Sequence, residues 1–285
     1  MDIQFIKLHS GGRDFILFDA IKTEPVEHIA WPSLSKAISH RHLGVGGFGF
    51  LVVQRGTKAP VQVQLLQSDG IESEMEPDAL LCCARYVYDA GLLGKENSQI
   101  QSGDKSFHVD MIDANNVTVE LGPPYGQHDS RELKEHSNLD LDQTVTIGRK
   151  DCTITPLDFF GLHAVVFDTE NPINLLSLGR HLTRLPAFAS STTVELVRVY
   201  SREEIRTRIW SSATKELYSS SAGDGAAVVA SVIHGFTDRE VLVHNRGGDI
   251  FVKWSETNNN LYVTSSVEYS FIGTFYWEGS LGPNL

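Results

Sequence analysis

Short runs of alternating apolar and polar residues dominate the chain. They are rich in β-branched residues and mostly end at Gly, Pro or Asn, which is typical of β-strands. The clearest runs cover residues 3–8, 15–19, 50–54, 61–66 and 117–121. This pattern predicts a mixed α/β (α+β) protein in which strands outnumber helices.

Two segments have a helical pattern instead. The first runs from Pro77 to about residue 90 and stops at Gly91. A proline suits the first helical position, and Glu76 and Asp78 place negative charge at the positive end of the helix dipole. The second begins near Gly223 and continues through AAVVASVIH to residue 234. Each helix follows a strand and a polar turn, ends at a glycine and leads back into a strand.

This repetition predicts two related, pseudo-symmetric halves, each a curved sheet around one central helix, with a cleft between them. The polar, turn-rich segment 122–142 is interpreted as the connection between the halves. We therefore predict an N-terminal domain of residues 1–125, joined by a C-terminal strand at about 265–285. The C-terminal domain is predicted to cover 126–264.

Charge and cysteine content limit the possible functions. The formal net charge is −12, and no block of Lys or Arg occurs, so we expect no nucleic-acid or membrane partner. The N-terminus lacks the pattern of a secretory signal. The most apolar stretch, 79–93, contains Arg85 and Asp89 and is not expected to span a bilayer. Three cysteines form no disulfide framework and no metal-binding spacing. A reducing cytoplasm fits these features.

Two motifs suggest cofactor or metal sites, and neither has the required context. Residues 44–49 satisfy the G-x-G-x-x-G spacing of dinucleotide sites, but a predicted strand follows where that site needs a helix. A tight turn is the better interpretation. His40 and His42 have no further ligand at zinc spacing nearby. We therefore expect neither a cofactor nor a metal ion.

Five segments in order carry a resemblance to a known family. These segments are FIKLHSGGRDF (5–15), RHLGVG (41–46), the stretch 69–86 with Asp-Gly and CARY, the stretch 206–225 with RTRIW and Gly-x-Gly, and the strand 247–254. Together they resemble the diaminopimelate epimerase family over nearly the whole chain. The resemblance implies two α/β domains with an active site in the cleft, and a final strand at about 267–277 that returns to the N-terminal domain.

The resemblance implies a mechanism similar to a two-base racemisation. In it, one cysteine thiolate removes the α-proton and the opposite cysteine delivers a proton to the other face. Each thiol sits at a helix N-terminus, where anions are stabilised. In this chain Glu76 stands at the first cysteine. The second becomes Ser220 when counted from 206–208, or Ala222 when aligned on Gly-x-Gly. Both thiols are absent, so we expect that the chain is not a diaminopimelate epimerase.

The resemblance also places substrate-binding positions, and most of them differ from the family. Arg13, Gln67 and Thr193 stand at or near asparagines of the family, and Ser211-Ser212 replaces a Glu-Arg pair expected to bind a carboxylate. Gly161 lies near another asparagine position. Several positions keep or could take a ligand-binding role: Arg13, Gln67, His163, Thr193, Ser220 and Gly223, while Glu216 matches the glutamate of a G-E-T motif.

Two hypotheses of different class follow. In the first, Glu76 is the general acid/base of a cofactor-independent isomerase or cyclase of specialised metabolism that acts on a small carboxylated molecule. Asp78 or Asp224 could supply a second acid, and phenazine-pathway isomerases of similar fold also use a carboxylic acid. In the second, the chain is a catalytically silent protein that binds a small molecule, and residues 76–78 are merely a good helix start with solvated acids. A homodimer is left open as the assembly.

Overall fold

The computed structural model describes residues 1–23, 29–94, 98–124, 143–147, 150–168, 173–185, 188 and 192–279. Most of the predicted connection 122–142 lies outside these residues. The chain divides into two compact units, Met1–Val119 with Ser265–Leu285, and Glu120–Thr264. Four helices lie in the described ranges, two in each unit.

The first unit is built mainly of strands, with two helices between them. Its elements are β1 (Asp2–Ser10), β2 (Arg13–Asp19), α1 (Trp31–Ile38), β3 (Gly49–Arg55), β4 (Val61–Gln67), β5 (Glu72–Ser73), α2 (Pro77–Asp89), β6 (Gln99–Ser102), β7 (Lys105–Met111) and β8 (Asn116–Gly122). The last of these, β8, crosses the boundary to the second unit.

The second unit follows the same plan. Its elements are β9 (Gln143–Ile147), β10 (Lys150–Asp158), β11 (Leu162–Phe167), α3 (Leu175–Leu182), β12 (Thr193–Val199), β13 (Glu204–Ser211), β14 (Lys215–Leu217), α4 (Ser221–Ile233), β15 (Glu240–Asn245), β16 (Gly248–Trp254) and β17 (Leu261–Tyr276). Beyond Thr264, β17 belongs to the first unit, where it pairs antiparallel with β1.

Strand pairing shows that the halves are pseudo-symmetric. In the first unit β1–β2 is antiparallel, β2–β3 parallel, β3–β4 antiparallel, β4–β6 parallel and β6–β7 antiparallel. The series β10–β11, β11–β12, β12–β13, β13–β15 and β15–β16 repeats this order in the second unit. The prediction of two related halves is confirmed.

Each unit packs one helix against each face of its sheet. Helix α2 contacts β1, β2, β3, β4 and β7, and ten of its residues from Pro77 to Val87 are buried. Helix α4 contacts β10, β11, β12, β13 and β16, and all of its residues from Ser221 to Ser231 are buried. Because these helices are enclosed almost all round, apolar residues cover most of their surface. The shorter α1 and α3 pack in two separate apolar clusters around Phe50 and Trp210.

Two boundaries differ from the prediction. Helix α4 begins at Ser221 rather than near Gly223, because Ser220 takes the N-cap position and its Oγ accepts a hydrogen bond from the Gly223 N–H. The final strand starts at Leu261, six residues earlier than predicted, because its first part pairs with β16. The glycine-rich segment 44–49 is a turn that ends in β3, as predicted.

Candidate functional site

A network of charged side chains at the opening motif holds the glycine turn in place. Lys7 Nζ donates to Asp14 Oδ2 (2.7 Å) and to the Gly46 carbonyl. Arg41 donates to both oxygens of Asp14 (3.1 and 2.7 Å). Burial lowers the pKa of Lys7, whereas the hydrogen bonds from Arg41 and Lys7 outweigh burial and lower the pKa of Asp14. These residues, which carry much of the resemblance, therefore serve the scaffold.

An ion pair between Glu76 and Arg13 lies at the start of α2. Glu76 is the N-cap residue of this helix, but its side chain makes no capping hydrogen bond. Its Oε2 accepts a hydrogen bond from Arg13 Nη2 instead. Arg13 Nε lies 3.5 Å from Asp78 Oδ2, and the guanidinium carbon is 3.8 Å from the centroid of the Phe48 ring. One cation thus faces two carboxylates and is fixed by an aromatic face.

Burial distinguishes these two acids from ordinary helix-start residues. The Asp78 side chain is 2% exposed and that of Glu76 is 28% exposed. The hypothesis of two solvated acids is therefore wrong for Asp78. Burial raises the pKa of Glu76; the Arg13 charge opposes this shift and the Asp78 charge adds to it. A carboxyl with a raised pKa, at a helix end that stabilises anions, is suited to general acid/base chemistry.

The corresponding helix start in the second unit has no such carboxyl–arginine pair. Ser220 is committed to capping α4, and Ala222 carries no proton-transfer group. Asp224 is fully buried; Thr207 Oγ1 donates to its Oδ1 (2.6 Å) and Asn245 Nδ2 donates to its Oδ2 (3.0 Å). With both oxygens bonded, Asp224 ties α4 to β13 and β15, which favours a structural role over that of a second acid.

Another buried acid lies against the first turn of α4. His163 Nδ1 is 2.7 Å from Glu195 Oε1, and His163 Nε2 is 2.9 Å from the Phe159 carbonyl oxygen. The carbonyl can only accept, so Nε2 carries a proton, and the link between Nδ1 and Glu195 holds a second one. A Cβ on Gly223 would approach Glu195 Oε1 to 2.8 Å, so glycine at this position leaves room for the carboxyl.

Protons are held tightly by the His163–Glu195 pair. Burial lowers the pKa of His163, but the Glu195 charge and the hydrogen bonds outweigh it, and the net shift is upward. Burial also raises the pKa of Glu195, more than His163 lowers it. Both ring nitrogens of His163 are used within the unit. This leaves His163 without a donor or acceptor for a ligand in this arrangement.

The remaining predicted ligand positions are dispersed. Gln67, at the end of β4, has an exposed side chain, and Thr193 begins β12 opposite His163 in the strand register. Gly161 is exposed in a turn with φ of 128°. Glu216 forms a two-bond pair with Arg208, with N–O distances of 2.8 and 3.0 Å. Within the first unit, the structure brings together Arg13, Glu76 and Asp78.

Two important residues had escaped the sequence analysis. Phe48 lies inside the glycine turn, and Glu195 lies in the apolar run VELV; neither position has a local signal that indicates its partner. Within the described ranges, no group of three or more His, Cys, Asp or Glu side chains could hold a metal ion. In the same ranges, no helix is both long and apolar enough to cross a membrane.

Comparisons with known proteins agree with this architecture. No protein-family model matches the chain. A diaminopimelate epimerase from Heliobacterium modesticaldum is 30% identical over 277 residues, which cover 95% of this chain and 99% of that protein. A phenazine biosynthesis protein of the PhzF family from Enterococcus faecalis has a TM-score of 0.66 at 11% identity and covers 97% of this chain and 100% of its own. Methylitaconate-delta-isomerase has a TM-score of 0.64 at 11% identity, covering 100% of this chain and 98% of its own.

The two structures establish the fold, which this protein shares with them. At 30% identity over almost its full length, the Heliobacterium relative places the sequence more closely. The chain belongs to the diaminopimelate epimerase family.

Proposed function

We propose that this member of the family is a cofactor-independent isomerase that moves a single proton on a small carboxylated metabolite, with Glu76 as its general acid/base. The observation that supports this most is the position of the Glu76 carboxyl. It stands at a helix N-terminus without capping the helix, is held by Arg13, and is partly buried. The second unit offers no comparable group at the start of α4.

A single base permits a defined set of reactions. The Glu76 carboxylate would take a proton from a carbon next to a carbonyl or carboxyl group and leave an enolate, which the N-terminus of α2 stabilises. The resulting carboxylic acid would exchange its proton with solvent and deliver a proton to another carbon of the conjugated system. The net change is a double-bond shift, a tautomerisation or the proton step of a cyclisation, with no change in composition.

Deuterium uptake tests this function on many candidate substrates at once. Purified protein is incubated in heavy water with a panel of small carboxylic acids that have an acidic C–H bond, and incorporation is measured by mass spectrometry. We expect uptake into at least one class of these acids above the no-enzyme rate. Uptake into none would contradict the isomerase and favour a catalytically silent binding protein that retains the Arg13 pair.

Diaminopimelate should not be among the substrates. Racemisation at one carbon needs an acid/base group on each face, and neither Ser220 nor Ala222 can take a proton near neutral pH. We expect neither inversion nor deuterium uptake at the α-carbon of diaminopimelate above the no-enzyme rate, with the Heliobacterium enzyme as a positive control. Exchange without inversion is not expected because the family's substrate-binding positions are also changed, as at Ser211-Ser212. Uptake at a rate comparable to that control would refute this prediction.

We also propose a homodimer formed through β17. Apolar side chains on this strand are unusually exposed: Phe271 by 50%, Ile272 by 74% and Tyr276 by 76%. Strand β1 pairs with residues 267–276, and the further partners of β17 are β16, at Leu261–Thr264, and β8. Residues 269–276 carry no charge, so two copies can pair antiparallel without like-charge repulsion.

Sedimentation tests the proposed dimer. It should show a dimer that Ile272→Lys dissociates, and a monomeric wild type at micromolar concentrations would contradict the proposal.

A further inference from the structure

Most of the hydrogen-bonding capacity of Arg13 is unused. A guanidinium has five N–H donors, and among the described residues Arg13 gives one hydrogen bond, from Nη2 to Glu76. Its Nε is buried without a hydrogen-bond partner, although Asp78 Oδ2 lies 3.5 Å away. The side chain is only 11% exposed. A buried guanidinium with unused donors is suited to a two-bond contact with a carboxylate.

Phe48 fixes the guanidinium where such a contact could form. The ring centroid lies 3.8 Å from the guanidinium carbon, so the ring covers Arg13 on one side, while the N–H donors of a guanidinium lie in its own plane. Planar, two-bond recognition of a carboxylate uses those in-plane donors. Arg13 is therefore held in an orientation that a carboxylate ligand requires before any ligand arrives.

The local charges decide what a ligand carboxylate would do on arrival. Arg13 already faces the carboxyls of Glu76 and Asp78. A third carboxylate would give three anions around one cation in a partly buried place, which is strongly unfavourable. Asp78 is the deeper of the two, at 2% exposed against 28% for Glu76. Glu76 is therefore the group that can leave Arg13 or take up a proton.

We propose that a ligand carboxylate replaces Glu76 on Arg13, so that binding of the substrate releases Glu76 as the base. The catalytic consequence rests on the function proposed above, whereas the exchange on Arg13 does not. In the free protein, the ion pair with Arg13 stabilises the Glu76 carboxylate and makes it a weaker base. On binding, the ligand carboxylate takes the place of Glu76 on Arg13. Glu76 loses that stabilisation and becomes a stronger base beside the substrate.

Competition between Glu76 and the ligand gives an unusual binding signature. Removing the Glu76 charge should make a carboxylate bind more tightly, even though Glu76 belongs to the site. Since proton and ligand binding are linked, wild-type affinity should also rise as the pH falls through the pKa of Glu76. If Glu76 helped to bind the carboxylate, the substitution would weaken binding instead.

Calorimetric titration with acetate and succinate tests the exchange. We expect Glu76→Gln to bind at least one of them about tenfold more tightly than wild type at pH 7, because an ionic hydrogen bond no longer competes for Arg13. Its affinity should vary little with pH. Glu74→Gln is the matched control, because the Glu74 side chain is 85% exposed and pairs only with Lys105 at the surface, so it should behave as wild type.

Arg13→Met should abolish binding in either background, and Arg13→Lys should weaken it if the methionine variant fails to fold. Equal or weaker binding by Glu76→Gln overturns the exchange, as does the absence of binding to every variant. The exchange and the isomerase can fail separately. Tighter binding by Glu76→Gln without deuterium uptake into any acid leaves a carboxylate-binding protein; uptake without tighter binding leaves an isomerase with a different binding mode.

Discussion

Replacing Glu76 by glutamine should lower deuterium uptake into the substrate by about 10²–10⁴-fold, the usual cost of losing one general acid/base group. Glutamine keeps the size of the side chain and removes the ability to take a proton. Its amide oxygen can still accept the hydrogen bond from Arg13, so the loss of stability should be on the order of 1 kcal/mol. Mass spectrometry of the exchanged acid measures the rate, and chemical denaturation measures the stability.

The same substitution two residues earlier provides the control. Glu74→Gln should exchange at the wild-type rate, since Glu74 is exposed and pairs only with Lys105. If Glu76→Gln also retains the wild-type rate, Glu76 is not the base, and residues 76–78 serve only to start α2. A rate loss accompanied by global unfolding would also count against the assignment.

Replacing His163 by leucine should destabilise the second unit by about 3–5 kcal/mol, because it leaves the carboxyl of Glu195 buried without its partner. Glu195 is 0% and His163 4% exposed, so water cannot replace the lost contact. The midpoint of guanidinium unfolding should fall accordingly. Hydrogen exchange followed by mass spectrometry should locate the loss in β11, β12 and α4 rather than in the first unit.

Glu195→Gln is the matched variant and should cost much less. Its amide can donate to Nδ1 of a neutral His163, while Nε2 still donates to Phe159.

The pH dependence of stability adds a second test. The pKa of His163 is raised above its usual 6.5, so its stabilising contribution is complete below about pH 6.5 and lost as the pH rises through the folded-state value. The advantage of wild type over Glu195→Gln should therefore shrink at alkaline pH, and a growing advantage would refute the shared proton.

Local signals predicted the strands and the two central helices, and the family resemblance added the two-domain architecture. The strand runs, the proline at the start of α2 and the glycines after both central helices depend on neighbouring residues, and these predictions agree with the structure. The symmetric pairing order could be inferred only in outline, because the parallel pairs β4–β6 and β13–β15 join segments separated by whole helices.

The site was harder to predict because its contacts are distant in sequence. Arg13 and Glu76 are 63 residues apart, and His163 and Glu195 are 32 apart. No local pattern shows that Glu195, inside the apolar strand VELV, faces inward towards a histidine. One of the two hypotheses placed Asp78 in solvent because acidic first turns are common, whereas the enclosure of α2 buries it.

The location of the cysteines has a practical consequence for assays. Cys82, Cys83 and Cys152 are all buried and form no disulfide, and burial raises the pKa of Cys82 and Cys83 far above that of a reactive thiol. Alkylating agents and mild oxidants should therefore spare this protein while inactivating an epimerase that works through exposed thiolates. Treatment with iodoacetamide before the assay would inactivate contaminating epimerase from an expression host. Any isomerisation that remains after this treatment could then be attributed to this protein.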